Sequence, residues 1–190
     1  MTDPMTRPMR ADARRNYERL VAAARDTFVA EGVDTTLEAV ARRADVGIGT
    51  LYRHFPTRFD LVAAVYMQDV NALEKTARES VDKPAWDALA GLMSQFVEFG
   101  VTKRVLLAEL ADSANSVSRD STTLVHCRDV IREAAMLVLT RAQDEGLARR
   151  DIEAPDLMRL VGGLALTPNP DPGQLKLLLD VVLDGVRARD

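Results

Sequence analysis

Residues 35–55, TTLEAVARRADVGIGTLYRHF, carry the pattern of two short helices joined by a tight turn. Thr35 and Glu38 have the spacing of a capping box, which predicts that the first of these helices begins at Thr35. Residues 44–46 then form the turn. Asp45 falls there at a position where a left-handed backbone is expected, a conformation that Asp tolerates better than most residues. The stretch therefore predicts a helix-turn-helix unit.

The second short helix, over about residues 47–53, has a composition that an isolated helix would not favour. Gly47 and Gly49 stand in its first turn, and each costs roughly 1 kcal/mol relative to Ala. Small residues are needed there if the first turn lies against DNA base edges, and Thr50 fits the same interpretation. The alternative is that the glycines only cap and pack the helix. Leu51 is expected to face the core.

The flanking segments supply helices that can hold this unit. Apolar residues recur at helical spacing over 12–31, and Gly32 follows at the position of a left-handed C-cap. After the unit, Thr57 and Asp60 again have capping-box spacing and predict a long helix over 58–79. The first three helices are thus expected to form a small head. The fourth begins in the core of that head and leads away from it.

The remaining residues predict further helices and no strand. No segment alternates apolar and polar residues as a half-buried strand does, and residues 167–173, TPNPDPG, are typical of a turn. Apolar periodicity predicts helices over about 85–101, 103–112, 120–145, 154–166 and 173–188. The predicted fold is therefore all-α, with about nine helices.

The net charge of −4 argues on its own against a nucleic-acid partner, but the charges are unevenly distributed. Residues 1–60 contain 10 Arg and 9 Asp or Glu, whereas residues 61–190 contain 15 basic and 20 acidic residues. The basic surplus lies with the helix-turn-helix. Residues 1–12 are expected to form a flexible basic arm, whose Arg7 and Arg10 either reach DNA or stay in solvent.

Membrane, export and metal signals are not found. No apolar run of about 18 residues is present, and no apolar core follows the basic N-terminus. Cys127 is the single cysteine, so an internal disulfide and a cysteine-based metal cluster are excluded. His54 and His126 do not have metal-ligand spacing. We expect a cytoplasmic protein with no membrane contact, no metal and no cofactor.

Many residues at fixed offsets characterise residues 13–73, namely Phe28, Gly32, Thr35, Thr36, Val40, Ala41, Ala44, Val46, Gly49, Thr50, Leu51, Tyr52, His54, Phe55, Arg58 and Leu61. Together they resemble the DNA-binding domain of the TetR family of bacterial transcriptional regulators. The resemblance implies a homodimer with a three-helix DNA-binding head over 13–73, whose helix-turn-helix motif spans 36–55. It also implies a helical domain over 74–190 that binds a small effector and dimerises. Asp45 stands where glycine is usual in the family, and Gly47 where serine often caps the second helix.

Carried over position by position, the resemblance assigns roles in DNA binding. The residues that would approach the base edges of the major groove are Ile48, Gly49 and Thr50. Those that would contact phosphates are Thr36, Tyr52, His54 and Arg58. Arg58 replaces a frequent lysine, which keeps the charge and adds a forked donor suited to phosphate.

The helical domain offers candidates for an effector pocket and for a dimer interface. Large apolar side chains either line a pocket or belong to an ordinary helical core, and the candidates are Trp86, Met93, Phe96, Phe99, Met136 and Met158. Each of the last two helices carries an apolar stripe, and the stripe on the second is too wide for one neighbouring helix to cover. Burial in a dimer interface would explain both stripes. The stripe residues are Leu157, Leu160, Val161, Leu164, Leu175, Leu178, Leu179, Val182, Leu183 and Val186.

These observations predict a homodimeric transcriptional regulator that binds a palindromic double-stranded DNA operator. We expect a repressor that an unidentified small-molecule effector releases. The alternative is an all-α binding or scaffolding protein without sequence-specific DNA recognition. An enzyme is third, because the sequence assembles no nucleophile, paired carboxylates or metal cluster.

Overall fold

The computed structural model describes residues 6–111, 122–167 and 171–188, and its regular structure is helical. The helices are α1 (Thr6–Glu31), α2 (Leu37–Arg43), α3 (Ile48–His54), α4 (Arg58–Glu79), α5 (Ala85–Glu98), α6 (Gly100–Ala111), α7 (Thr122–Asp144), α8 (Ala154–Ala165) and α9 (Pro172–Val186). A single 3-10 turn, Gly32–Asp34, follows α1. Over these ranges there is no strand, only an isolated bridge between Ala148 and Arg187. The all-α prediction is confirmed. Within the same ranges, no helix has both the length and the apolar character needed to span a bilayer.

The head consists of α1 to α3 and the start of α4. Helix α1 packs against α2 and α4, and α2 packs against α3. Its interior is formed by fully or almost fully buried side chains, including Leu20, Phe28, Val40, Leu51, Phe55 and Leu61. Gly32 has φ 62° and Asp45 has φ 50°, so both predicted left-handed positions are confirmed.

The start of α2 differs from its prediction by one residue. Thr36, and not Thr35, is the N-cap, and its side chain accepts a hydrogen bond from the Ala39 amide. Thr35 is instead buried, and its hydroxyl donates to the carbonyls of Thr27 and Gly32 at 3.3 Å and 2.9 Å. Thr35 therefore links the end of α1 to the start of α2.

Helix α1 begins at Thr6, earlier than predicted, so most of the expected flexible arm is helical. Arg14 pairs with Glu18 at 2.9 Å and Arg15 pairs with Asp12, and these pairs follow the helical spacing. The side chains of residues 6–10 lie outside the described part of the structure. The expected reach of Arg7 and Arg10 toward DNA accordingly stays a prediction.

Helix α4 belongs to both halves of the molecule. It begins at Arg58 and ends at Glu79 as predicted, and Thr57 and Asp60 form both hydrogen bonds of the capping box. Its first turns are buried in the head, and its later turns pack against α6 and α7. A change in the helical domain can therefore reach the head through this one element.

The helical domain is built from α5 to α9 around the second half of α4. The backbones of α6 and α8 touch where Gly100 meets Ala165, and a Cβ atom at Gly100 would collide with the Ala165 carbonyl. That carbonyl also accepts a hydrogen bond of 2.8 Å from Arg104. Gly146 has φ 70° and ends α7 as predicted. Residues 168–170 of the predicted turn lie outside the described residues.

Candidate nucleic-acid interface and ligand cavity

Helix α3 presents a small, unobstructed surface at its first turn. Gly47 is the N-cap and provides no side-chain hydrogen bond, and a Cβ atom added at Gly47 or Gly49 would meet nothing within 4 Å. Ile48, between them, is 40% exposed. Packing inside this chain therefore does not require the glycines. Glycines at these positions would instead allow another molecule to approach the helix backbone closely.

The predicted phosphate contacts Thr36, Tyr52 and His54 flank this surface. Thr36 and Tyr52 are exposed, and the Thr36 hydroxyl accepts from the backbone at the cap while its hydrogen remains available to donate to an anion. His54 is half-buried, and its ring stacks edge-on against Tyr17 at a centroid distance of 6.2 Å. All three side chains lie at or near the surface, and their contacts with DNA stay predictions.

Two further arginines lie on the same head. Arg42 at the end of α2 and Arg53 near the end of α3 are exposed, and neither has an ion pair among the residues that the structure describes. Arg43, in contrast, pairs with Asp26 at 3.2 Å. The sequence signal for Arg42 and Arg53 was their position outside the apolar face, but it did not single them out as DNA contacts.

Asp45 places an acidic side chain in the turn of the motif. The guanidinium of Arg19 lies 3.2 Å from its carboxylate and 3.3 Å from its backbone carbonyl. Both side chains are well exposed, so the pair contributes little to stability. Its main effect is to offset the negative charge of Asp45 close to the surface of α3.

The phosphate contact expected of Arg58 stays a prediction, and in this structure its guanidinium is bound within the chain. Nη2 donates to the Val33 carbonyl at 2.8 Å and Nε donates to the Thr35 carbonyl at 3.2 Å. Nη1 forms an ion pair with Glu109 on α6. Arg58 therefore fastens the head to α6. The sequence placed Arg58 at the start of α4, but the partner 51 residues later has no local signal.

A cavity of about 160 Å³ lies between α4, α6 and α7 in the helical domain. Its apolar lining comes from leucines that include Leu106, Leu110 and Leu124, and its polar lining from Tyr66, Lys103 and Arg128. A second, much smaller space of about 10 Å³ is also lined by Tyr66 and Lys103, together with Phe96 and Phe99.

None of the residues predicted for the pocket lines this cavity itself, but Phe96 and Phe99 line the smaller space that shares Tyr66 and Lys103 with it. Trp86 lies under the guanidinium of Arg187, 4.1 Å from the ring centroid, near the other end of α5. Met93 is fully buried in the core, and Met136 is 50% exposed on α7. Trp86, Met93 and Met136 therefore do not line this cavity, and their assignment to an effector pocket stays a prediction. Apolar residue type alone does not distinguish core, cavity and surface.

Sequence reasoning missed Lys103 and Tyr66. Lys103 shares a helical face with Leu106, Leu107 and Leu110, so a basic residue in register with three leucines was the available signal. Burial lowers the pKa of Lys103. Burial is also the main cause that raises the pKa of Tyr66.

The stripes predicted for the dimer interface divide into two groups. Leu157, Val161, Leu179, Leu183 and Val186 are buried within their own subunit, so they belong to its core, and their part in a dimer interface stays a prediction. Leu160 and Leu178 are exposed, and Leu164, Leu175 and Val182 are half-buried against the core. The sequence missed Leu177 and Val181 on α9, which are 62% and 61% exposed. An apolar face therefore remains open on α8 and α9.

Two family models match consecutive parts of the chain. The one described as "Bacterial regulatory proteins, tetR family" matches residues 20–65, and "Transcriptional regulator SbtR-like, C-terminal domain" matches residues 84–188. A solved TetR transcriptional regulator from Streptomyces coelicolor is similar over 92% of this chain and 99% of its own, with 32% identity and a TM-score of 0.76.

Curated relatives match about half of this chain. The HTH-type transcriptional regulator TtgW of Pseudomonas putida is 31% identical over 102 residues, which are 53% of this chain and 76% of the relative. SrpR of the same species is 31% identical over 102 residues, and the match covers 48% of that relative, about half of its length.

The head and the helical domain are thus matched separately, and the C-terminal match alone covers more than half of the chain. The chain belongs to the TetR family of bacterial transcriptional regulators.

Proposed function

We propose that this regulator is a cytoplasmic homodimer that represses transcription from a palindromic operator and leaves the DNA when a small molecule binds its helical domain. The observation that carries the DNA-binding part is the first turn of α3, where two exposed glycines leave the backbone open to an outside surface. DNA bases approached through the major groove fit such a surface, since they require the helix backbone to come close.

Contacts with DNA would divide by position on the head. Ile48, Gly49 and Thr50 would lie against base edges and determine the preferred sequence. Phosphate contacts would come from Thr36, Tyr52, His54, Arg42 and Arg53, and these would bind all sequences similarly. Arg58 is not included, because its donors are used inside the chain.

Dimerisation would cover the open apolar face of α8 and α9. Leu160, Leu177, Leu178 and Val181 are exposed on these two helices, and an equivalent face on a second subunit would bury them. A two-fold axis between the subunits would then present the two α3 helices to the two halves of a palindrome.

Ligand binding would reach the head through α6. The cavity touches α6 at Leu106 and Leu110, and Glu109 on the same helix holds Arg58 at the start of α4. A ligand that displaces this part of α6 would pull Arg58 away from Val33 and Thr35, which connect α1 to α2. A coupling of about 1–3 kcal/mol would change operator affinity 5- to 150-fold.

The experiment that tests this function begins with fragments of the source genome that the purified protein retains. Binding to a selected fragment is then measured by fluorescence anisotropy at several salt concentrations. We expect Tyr52→Phe to weaken binding to selected and unrelated duplexes by a similar factor, and Thr50→Ala to change which duplexes are preferred. Failure to select any fragment, or affinity independent of salt, contradicts the proposal.

A further inference from the structure

The cavity between α4, α6 and α7 contains two polar groups, Tyr66 and Lys103, that have neither a hydrogen bond nor an ion pair with the residues that the structure describes. Tyr66 is 8% exposed, and its hydroxyl has no hydrogen bond to any of the residues in 6–111, 122–167 and 171–188. Over the same ranges no carboxylate lies within ion-pair distance of the Lys103 ammonium. Tyr66 is buried and Lys103 half-buried, and both line the cavity, so two hydrogen-bond donors there are available to a guest.

The surroundings of Lys103 do not compensate its charge. Its Nζ lies 5.2 Å from the centroid of the Phe96 ring, which stabilises a cation only partly. A Cβ atom at Gly162 would lie 3.3 Å from the same Nζ, so α8 also approaches it closely without offering a negative group there. Burial lowers the pKa of Lys103, as expected for an ammonium group that lacks a counter-ion.

Apart from Arg128, the remaining lining of the cavity is apolar. Leu106 and Leu110 come from α6 and Leu124 from α7, and the smaller neighbouring space is lined by Phe96 and Phe99. A guest must therefore combine a polar head for Tyr66 and Lys103 with a hydrocarbon body for the leucines. The volume of about 160 Å³ is below the roughly 300–1,000 Å³ of pockets for drug-sized ligands, so the guest must be small.

We propose that the effector is a small carboxylic acid with an apolar body, whose carboxylate is bound by Lys103 and Tyr66. A carboxylate accepts hydrogen bonds from both groups and supplies the charge that Lys103 lacks. This inference rests on the proposed function, because it names the class of molecule that the helical domain would sense.

Isothermal titration calorimetry on the DNA-free full-length protein tests the inference. The probes are hexanoate, octanoate, decanoate and 3-phenylpropanoate, each compared with the alcohol and the amine of the same carbon skeleton. We expect at least one acid to bind about 10- to 100-fold more tightly than its alcohol, with the amine weakest, because a charge-assisted hydrogen bond distinguishes them. If no acid binds more tightly than its alcohol, the inference is wrong.

Variants separate this cavity from other surfaces. Lys103→Met should reduce acid binding to the level of the alcohol, and Tyr66→Phe should weaken the acid by a smaller factor. Lys176→Met is the matched control, since Lys176 lines a separate groove beside α9 and its side chain is 79% exposed. Acid affinity that falls with Lys176→Met and not with Lys103→Met would overturn the assignment. Thermal unfolding of each variant checks that it is folded.

The two proposals can fail separately. The titration contains no DNA, so an acid that binds through Lys103 supports the inference even if no operator is released. Operator release by another class of molecule, with no binding of the acids, would support the regulatory function and contradict the carboxylate.

Discussion

A single buried carboxylate on α4 joins the head to the helical domain. Asp69 is 1% exposed, and Arg25 on α1 places its Nε 3.3 Å from Oδ1. The Arg25 guanidinium also lies 5.5 Å from the centroid of the Phe99 ring, next to α6. Burial raises the pKa of Asp69, and the positive charge of Arg25 offsets only part of that effect. Asp69 therefore links α4 to α1 through Arg25, but burying its charged carboxylate lowers the free energy of unfolding at neutral pH.

The raised pKa of Asp69 gives a pH dependence of defined sign. Between the unfolded pKa of about 3.9 and the higher folded pKa, the native chain binds more protons than the unfolded chain, so the free energy of unfolding falls as pH rises. Asp69→Asn removes this dependence. We expect the wild type to lose stability relative to Asp69→Asn as pH rises above the unfolded pKa and toward the raised folded pKa, as urea unfolding at constant protein concentration would measure.

The exposed Asp82 supplies the control for that measurement. Asp82→Asn should leave the pH dependence of the wild type nearly unchanged. A wild type that gains stability relative to Asp69→Asn as pH rises would mean that the ion pair with Arg25 outweighs burial.

Individual residues also mark the limit of what the sequence could predict. Thr35 and Thr36 are adjacent and both suit a cap, and the buried hydrogen bond from Thr35 to Thr27 decides between them. The cap at Thr57 and Asp60 was predictable because both partners lie within one turn. Lys103 and Arg58 were not, since their roles depend on groups far away in the sequence.

Among the elements, α6 faces both the cavity and the head, as α4 also does. Lys103, Leu106 and Leu110 face the cavity, whereas Glu109 contacts Arg58. Apolar spacing predicted that a helix lies here, but it could not show that the helix has two partners. The neighbours of α6 depend on how α4 packs against α6 and α7, and this packing exists only in the folded chain.

Glu109→Gln tests the role of α6 in coupling. The substitution removes the charge that holds Nη1 of Arg58, while the hydrogen bonds of Arg58 to Val33 and Thr35 can persist. We expect the free energy of unfolding to fall by about 1–3 kcal/mol, because the arginine loses a largely buried partner. We also expect the ratio of operator affinities without and with ligand to decrease toward one.

Anisotropy titrations with the selected operator measure that ratio, and the exposed Glu98 on α5 provides the control Glu98→Gln. If the ligand changes operator affinity by the same factor in Glu109→Gln and in the wild type, the contact between Arg58 and Glu109 does not transmit ligand binding to the head.

At the scale of the whole molecule, operator binding would depend on the open apolar face of α8 and α9. The sequence located this face only in part, because an apolar stripe does not reveal whether its own subunit or a second one covers it. Leu157 and Val161 are covered by their own subunit, whereas Leu177 and Val181 are not. Leu177 and Val181 are therefore the better positions for substitutions that separate the subunits.

The double substitution Leu177→Asp and Val181→Asp should produce a folded monomer. Both side chains are more than half exposed in the subunit, so their replacement should not disturb its core. We expect analytical ultracentrifugation to show the monomer mass, and operator affinity to fall by about 100-fold or more because the two heads no longer bind as one unit. Val81→Asp, at a position that is 66% exposed outside α8 and α9, should remain dimeric. A dimeric double variant would place the interface elsewhere.

The contact between Gly100 and Ala165 holds one end of α6 against α8, backbone to backbone. If α8 lies at the subunit interface, the Gly100 end of α6 is held in place, and α6 can tilt about that end. At about 1.5 Å per residue, Glu109 lies roughly 13 Å from that end, so a tilt of about 5° would move it by roughly 1 Å. A displacement of that size is enough to disrupt a hydrogen-bonded ion pair. A very small ligand could thus release the head without reshaping the domain that holds it.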